Sequence, residues 1–385
     1  MVTDFDALRK QFPTLDNFVY LDTAAKAPLP RCAEDAMVSY MADVWERVGE
    51  RSFSMQEIER TRETLARLVG VPSKTVSFIK NTSEGINIVA HGLGLKAGDK
   101  VLISEFEHSA CVLPWRRLEE IGVEVEVVRG SEGRIPPESF IEKMDDRTRA
   151  VGVSWVAYGT GYRFDIPTIA TACRERDIVL LVDGIQGVGV LATPLTELGA
   201  DVVVAGGFKG LLSPTGTGFL YCREGFASRI DPTYVARFSF ASDDKWKRDL
   251  ELATDARRFE YGNPNYLGIW VMRHCLDLIL SIGLDEIERR VRDLTTLLYE
   301  QVEERGFKVI TPKPWNERAG ILSFDVPEPE LVRRQLLERK IVVNVRDGGT
   351  LRAAPHFYNT PQDIETLVDT LSEVVAAISS DETSR

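Results

Sequence analysis

Short apolar runs alternate with longer amphipathic stretches between residues 75 and 221, and each run stops at a polar residue or a glycine. IVLLV at 178–182 stops at Asp183. VVVA at 202–205 stops at Gly206-Gly207, with Lys209 close behind. Runs of this length and β-branched content read as buried strands. The same reading predicts strands at 76–79, 101–103, 123–127 and 151–156. VEVEV at 123–127 alternates, which predicts a strand with one wet face. Helical patterns lie between the runs. One follows the Asn81-Thr82-Ser83-Glu84-Gly85 segment, and one follows His108 and runs through Leu118. A third is capped by Asp165, carries Pro167 in its first turn and ends at Arg176. Strand–helix alternation over this span predicts an α/β fold, with a mostly parallel central sheet flanked by helices.

The flanks read differently. Residues 1–18 predict a short helix and turn, an arm that joins the smaller domain. Tyr20-Leu21 is a strand candidate, and Asp22-Thr23-Ala24-Ala25 a polar turn ended by Pro28 and Pro30. Residues 31–69 carry helical periodicity, with Ile58, Leu65 and Leu68 on one face. A polar, irregular stretch spans 240–258, and a loop spans 258–265. A long amphipathic stretch, 269–304, breaks near Gly283. Strands at 320–326, 341–345 and 350–353 then alternate with helices at 329–338 and 361–378. Thr360-Pro361-Gln362-Asp363 has the pattern of a helix cap. The predicted organisation is a large domain, 19–268, and a smaller α+β domain, 269–385. The tail SSDETSR is expected to be disordered.

Composition narrows the function classes. The chain has 385 residues, enough for more than one core, and a net charge of −12. That charge disfavours nucleic acid and anionic membranes as partners. Five Cys without a CxxC spacing and four scattered His without HExxH predict neither a disulfide framework nor a metal site; a reducing, cytoplasmic setting fits best. The first residues, acidic and without an apolar core, do not read as a secretory signal.

In open α/β sheets, ligands sit beyond the carboxyl ends of the strands. Asp183 and Lys209 both fall there, an acid and an amine suited to a cofactor that binds an amine at one atom and an anion near another. The bland alternative is a turn residue and a solvated lysine. Thr82 and Ser83 open a helix, where free N–H groups and the helix dipole favour phosphate; the alternative is plain capping.

With these residues assembled, the chain resembles the class V aminotransferases, which use pyridoxal phosphate (PLP; fold type I) and include cysteine desulfurases and isopenicillin-N-epimerase-like proteins. The resemblance runs through VYLDTAAKAPLP, KNTSEGIN, SEFEHSACVLPW, VDGIQG, FKGLLSPTGTGFLY, FEYGNPN and LRAAPHFYNT, in that order. It implies that Lys209 holds PLP covalently and moves the Cα proton. It implies that Asp183 pairs with the ring nitrogen, Gln186 with the ring hydroxyl, and that His108 stacks on the ring. Thr82 and Ser83 would bind the phosphate. Asn263 would reach the phosphate of a partner subunit, so a homodimer with shared sites is implied. Arg352 would grip the substrate carboxylate, with Arg346 its competitor, and Ala25 and Tyr158 would line the substrate side. Departures from the family pattern are Phe208 and Gly206, where relatives carry a His and a Ser or Thr, and Tyr158, where desulfurases carry Asn. The stretch 345–350 lacks the desulfurase Cys.

The resemblance implies an enzyme acting at the Cα of an amino acid. Transamination stands first, followed by C–S lyase-type β-elimination without a protein persulfide, then epimerisation. Two other classes fit less well. A non-catalytic binding protein is disfavoured by Lys209, Asp183 and Gln186 together. A nucleotide-phosphate enzyme is disfavoured by the lack of GxxxxGK[ST].

Overall fold

The computed structural model describes residues 3–242, 244–346 and 348–383. After α1 (Phe5–Arg9) and β1 (Val19–Tyr20), the predicted helical stretch 31–69 is two helices, α2 (Arg31–Arg47) and α3 (Met55–Val69). The break has a local cause. Val48 and Gly49 take left-handed backbone angles, φ 56° and 74°. The Asp43 carboxylate then accepts from the Arg51 and Ser52 N–H groups at 3.3 and 2.8 Å, which holds the turn. Ser54 caps the new helix by accepting from the Glu57 N–H.

The α/β region follows in chain order: β2 (Val76–Ile79), α4 (Thr82–Gly92), β3 (Lys100–Ser104), α5 (Ser109–Arg116), β4 (Glu124–Val128), α6 (Pro137–Ile141), β5 (Thr148–Ser154), α7 (Ile166–Glu175), β6 (Val179–Asp183), β7 (Val202–Gly206) and β8 (Gly218–Cys222). Its seven strands are ordered β2-β8-β7-β6-β5-β3-β4, and β8 alone runs against the rest. The predicted class, a mostly parallel sheet within an α/β fold, holds. Alternate residues of one strand feed opposite cores. Leu180 and Val182 join one apolar cluster, and Val179 and Leu181 the other. At the sheet edge, Glu124 and Val127 of β4 are both exposed. Edge position, rather than the expected alternation of a wet and a dry face, sets the exposure of that strand.

α8 (Tyr266–Ile282) packs on α2 and α3, and Gly283 at φ 90° separates it from α9 (Leu284–Glu304). The remaining elements are β9 (Leu322–Asp325), α10 (Pro329–Glu338), β10 (Ile341–Val342), β11 (Asn344–Arg346), β12 (Thr350–Ala353) and α11 (Pro361–Thr383). The strand expected at 341–345 is split. β10 pairs with β1, whereas β11 pairs with β12 in a three-stranded antiparallel sheet, β11-β12-β9. The start of the chain is tied to its end: Arg9 meets Asp363 at 2.7 Å, and the Phe12 ring packs on Phe357 and Tyr358. The predicted cap of α11 forms in both directions, Asp363 N–H to Thr360 Oγ1 and Thr360 N–H to Asp363 Oδ2. The tail departs from the expectation of disorder. Ser379–Thr383 continue α11, whose apolar positions Leu367, Leu371 and Val374 are fully buried. Ser384 and Arg385 lie outside the described residues, as do Met1 and Val2 of the arm and Asp347 of the stretch 345–350. No single helix of the described residues is long and apolar enough to cross a membrane.

Candidate active site

β3, β5, β6 and β7 stand side by side, and beyond their carboxyl ends lies a cavity of about 290 Å³. Asp183, Lys209, Gln186, Thr82, Ser83, His108, Tyr158, Ala25, Arg352 and Arg346 all line it. Asn263 does not. It is exposed and lines a separate cavity of about 390 Å³ with Lys80, Glu84 and Tyr261, on the other flank of the β2–α4 turn.

Backbone packing brings the two strand-end groups together. Asp183 closes β6, and Lys209 follows three residues after the end of β7. The lysine loop is pinned by bonds from Gly207 N–H to the Thr217 carbonyl (2.8 Å) and from Ala27 N–H to the Phe208 carbonyl (2.9 Å). Gly189, at φ 82°, lets the loop after β6 touch it. A Cβ there would stand 2.3 Å from the Gly210 carbonyl oxygen. Gly85 does the same for α4, where a Cβ would meet Val204 at 2.6 Å and Ile79 at 2.8 Å. The N-terminus of α4 therefore sits against β7, and Thr82 Oγ1 accepts from the Gly206 N–H at 3.0 Å. Asn81 caps α4 through the Glu84 N–H at 2.9 Å.

The charges share one buried environment. Burial pushes the Asp183 carboxyl up to about 7, and the nearby Glu107 charge adds to that. The Ile185 N–H, bonded to Asp183 Oδ1 at 3.0 Å, and Lys209 pull the other way. Burial lowers the Lys209 amine to about 8; Arg352 and Arg346 reinforce this, and Asp183 and Asp22 oppose it. Arg352 is fully buried. Its guanidinium bonds Asp22 Oδ1 at 2.8 Å and the Tyr158 carbonyl at 2.9 Å. Burial lowers Arg352 to about 10, against the pull of Asp22. Arg346 lies over the Tyr158 ring at 5.8 Å. The Nε atoms of Arg346 and Arg352 are both buried without a hydrogen-bond partner among the described residues.

His108 is exposed at the cavity mouth rather than packed in a core. It caps α5: its Nδ1 accepts from the Ala110 N–H at 3.1 Å, and its ring stands edge-on to Tyr158 at 5.1 Å. A ring nitrogen that accepts from an amide carries no proton, so the Nε2–H tautomer is selected. Gln186 donates one Nε2–H to the Ala24 carbonyl at 3.0 Å and keeps a second donor.

Sequence reasoning gave no site role to Asp22, Glu107 and Ser154, and met Phe208 only as a departure from the family pattern. Ser154 ends β5 as Asp183 ends β6, so the strand-end rule could have found it. Asp22 carries no local signal, because its partner Arg352 is 330 residues away.

The family model for class-V aminotransferases matches residues 19–367. The chain belongs to that family. A probable cysteine desulfurase of Methanothermobacter thermautotrophicus is 31% identical, over 95% of this chain and 97% of its own length. A cysteine desulfurase of Salmonella newport is 28% identical, over 97% and 99%. Among solved structures, the apo cysteine desulfurase of Thermococcus onnurineus NA1 superposes with a TM-score of 0.89 at 27% identity, over 98% of this chain and 99% of that one. The cystine C–S lyase C-DES, solved with its product cysteine persulfide, gives 0.88 at 23% identity, over 94% and 99%; at that identity the likeness is one of fold.

Proposed function

We propose that this protein is a PLP-dependent enzyme that cleaves a C–S bond of a cysteine-type amino acid by β-elimination, without storing sulfur on a cysteine of its own. One observation carries the choice. β11 and β12 are joined by a hairpin only three residues long, with Gly348 and Gly349 at φ 88° and 81° and the Gly349 N–H closing on the Arg346 carbonyl at 2.9 Å. That hairpin holds no Cys, and none of the five Cys lines the cavity. Cys111, the Cys closest in sequence to His108, is fully buried, and burial raises its thiol well above the usual range, which makes it a poor nucleophile. The curated relatives named above are cysteine desulfurases, as is the solved structure at 27% identity, so transamination, placed first from the sequence, yields first place. Epimerisation stays third.

The residues fit the cofactor. When bound, PLP supplies an amine-binding carbonyl and a cationic ring that draws electrons from Cα. Lys209 would hold the carbonyl carbon; its lowered proton affinity leaves much of the amine neutral near pH 8, fit to take the Cα proton. Asp183, buried and costly to ionise alone, is suited to a cationic ring N–H beside it. The N-terminus of α4, with Thr82 and Ser83, would receive the phosphate, and the second Gln186 N–H the ring hydroxyl. His108 would cover the ring face, with its Nε2–H as a hydrogen-bond donor toward the leaving sulfur. The buried Nε of Arg352 offers a donor to the substrate carboxylate, with Arg346 as a second cation beside it and Ala25 and Tyr158 as walls.

A homodimer completes this reading. Val38, Met41, Trp45 and Val48 form an exposed apolar stripe along α2, with Phe53 and Met55 beyond it. An interface on that face would let Asn263 serve the phosphate of the partner's site.

The test is a panel of amino acids mixed with the purified protein while the cofactor spectrum and products are followed. Pyruvate with sulfide or a thiol is expected from sulfur amino acids. Lys209→Ala should abolish both that release and the visible band that borohydride bleaches. Stable conversion to the aminated cofactor, with no sulfur released, would replace this reading with transamination.

A further inference from the structure

A second buried acid stands two strands along from Asp183, with β5 between them. Glu107 follows the end of β3, and its carboxylate accepts from the Ser104 hydroxyl (2.6 Å), the Ser154 N–H (2.9 Å) and the Ser154 hydroxyl (2.6 Å). Ser154 is the register neighbour of Asp183 across β5 and β6. The row Glu107, Ser154, Asp183 therefore crosses the carboxyl ends of three adjacent strands and ends at Lys209.

Donors reach both Glu107 oxygens, so this pocket is built for a carboxylate. Among the described residues, no Lys or Arg forms an ion pair with Glu107, which is 7% exposed. A buried carboxyl without a cation costs stability when it ionises, and local costs of this kind concentrate at functional positions. The groups facing the row are Cys111 of α5 on Glu107, Lys209 on Asp183, and His108, the next residue in the chain.

We propose that Glu107 is a positioning residue for the reaction assigned above: a buried carboxyl, spaced from Asp183 by Ser154, whose ionised form helps keep the proton on a cofactor ring nitrogen bonded to Asp183. It rests on the PLP reading and touches neither cofactor nor substrate. Negative charge in a dry site favours the protonated ring, and two anions favour it more than one. Burial already pushes the Glu107 carboxyl up, and Asp183 feels its charge.

Glu107→Gln keeps the shape and removes the charge. With the holoenzyme carrying ¹⁵N-labelled cofactor, the nitrogen chemical shift is followed against pH. The midpoint for ring protonation is expected to fall by about one pH unit in Glu107→Gln. Ser104→Ala, which takes one donor from the carboxylate and should fold readily, should move it in the same direction by less. A purely structural role would lower the melting temperature and leave both midpoints where they were, and that result overturns the inference. A parent protein that takes up no PLP overturns the cofactor assignment and this inference with it. A parent that binds PLP beside two unshifted variants overturns this inference alone.

Discussion

Asp22→Asn tests whether the cavity is backed by a buried ion pair. Asp22 and Arg352 meet at 2.8 Å, with side chains 8% and 1% exposed. The variant keeps an acceptor oxygen and the side-chain shape, but leaves the Arg352 cation buried and uncompensated. Removing one partner of such a pair costs about 3–5 kcal/mol. Unfolding entropy of about 2.1 cal/mol/K per residue over 385 residues is about 0.8 kcal/mol/K. The melting temperature of the apo protein should therefore fall by about 4–6 °C. A second readout follows from Lys209, whose proton affinity Asp22 supports and Arg352 and Arg346 depress. Only the neutral amine attacks an aldehyde, so attachment of PLP to the apo protein should speed up as pH rises through about 8 in the parent. In Asp22→Asn that midpoint should move lower still. Calorimetry and a stopped-flow pH series measure the two effects. Asp22→Leu with Arg352→Met should recover most of the lost stability, since a packed apolar pair avoids the desolvation penalty. A melting temperature lowered by less than about 1 °C, with an unmoved pH midpoint, would refute the buried-pair reasoning.

Two further predictions concern Asp183 and α2. The folded-state carboxyl of Asp183 is raised to about 7, above its unfolded value, so ionising it opposes folding; the penalty is absent below the unfolded value and complete above about 7. Asp183→Asn should thus stabilise the apo protein at pH 8 by on the order of 1–3 kcal/mol, with little effect at pH 4, and equal melting shifts at both pH values would contradict the assignment. Trp45, 76% exposed at the centre of the apolar stripe, should be an interface anchor; Trp45→Glu is expected to turn a dimer into a monomer in sedimentation velocity, and an unchanged species would place any interface elsewhere.

Much of this was readable from local pattern. Buried strands of the central sheet show as β-branched runs because every side chain there faces a core. Asp183 and Lys209 were legible as site residues because strand ends in such sheets all open on one edge. The α11 cap was legible because Thr360 and Asp363 act within one turn. The break at Val48 was not, since helical periodicity continues across it and the Asp43 carboxylate supplies the stop from five residues back.

What local pattern cannot carry is pairing between distant segments. β10 joins β1 rather than β11, β8 pairs with β2, and Asp22 meets Arg352, all through contacts whose partners are far apart in the chain. The same holds for function. Residue types announced an amine, an acid and a 345–350 stretch without a Cys, but only packing put Glu107 behind Ser154 and left Asn263 outside the cavity. Strand and helix periods are set within a few residues. Burial, desolvation and proton affinity depend on what the rest of the chain brings alongside.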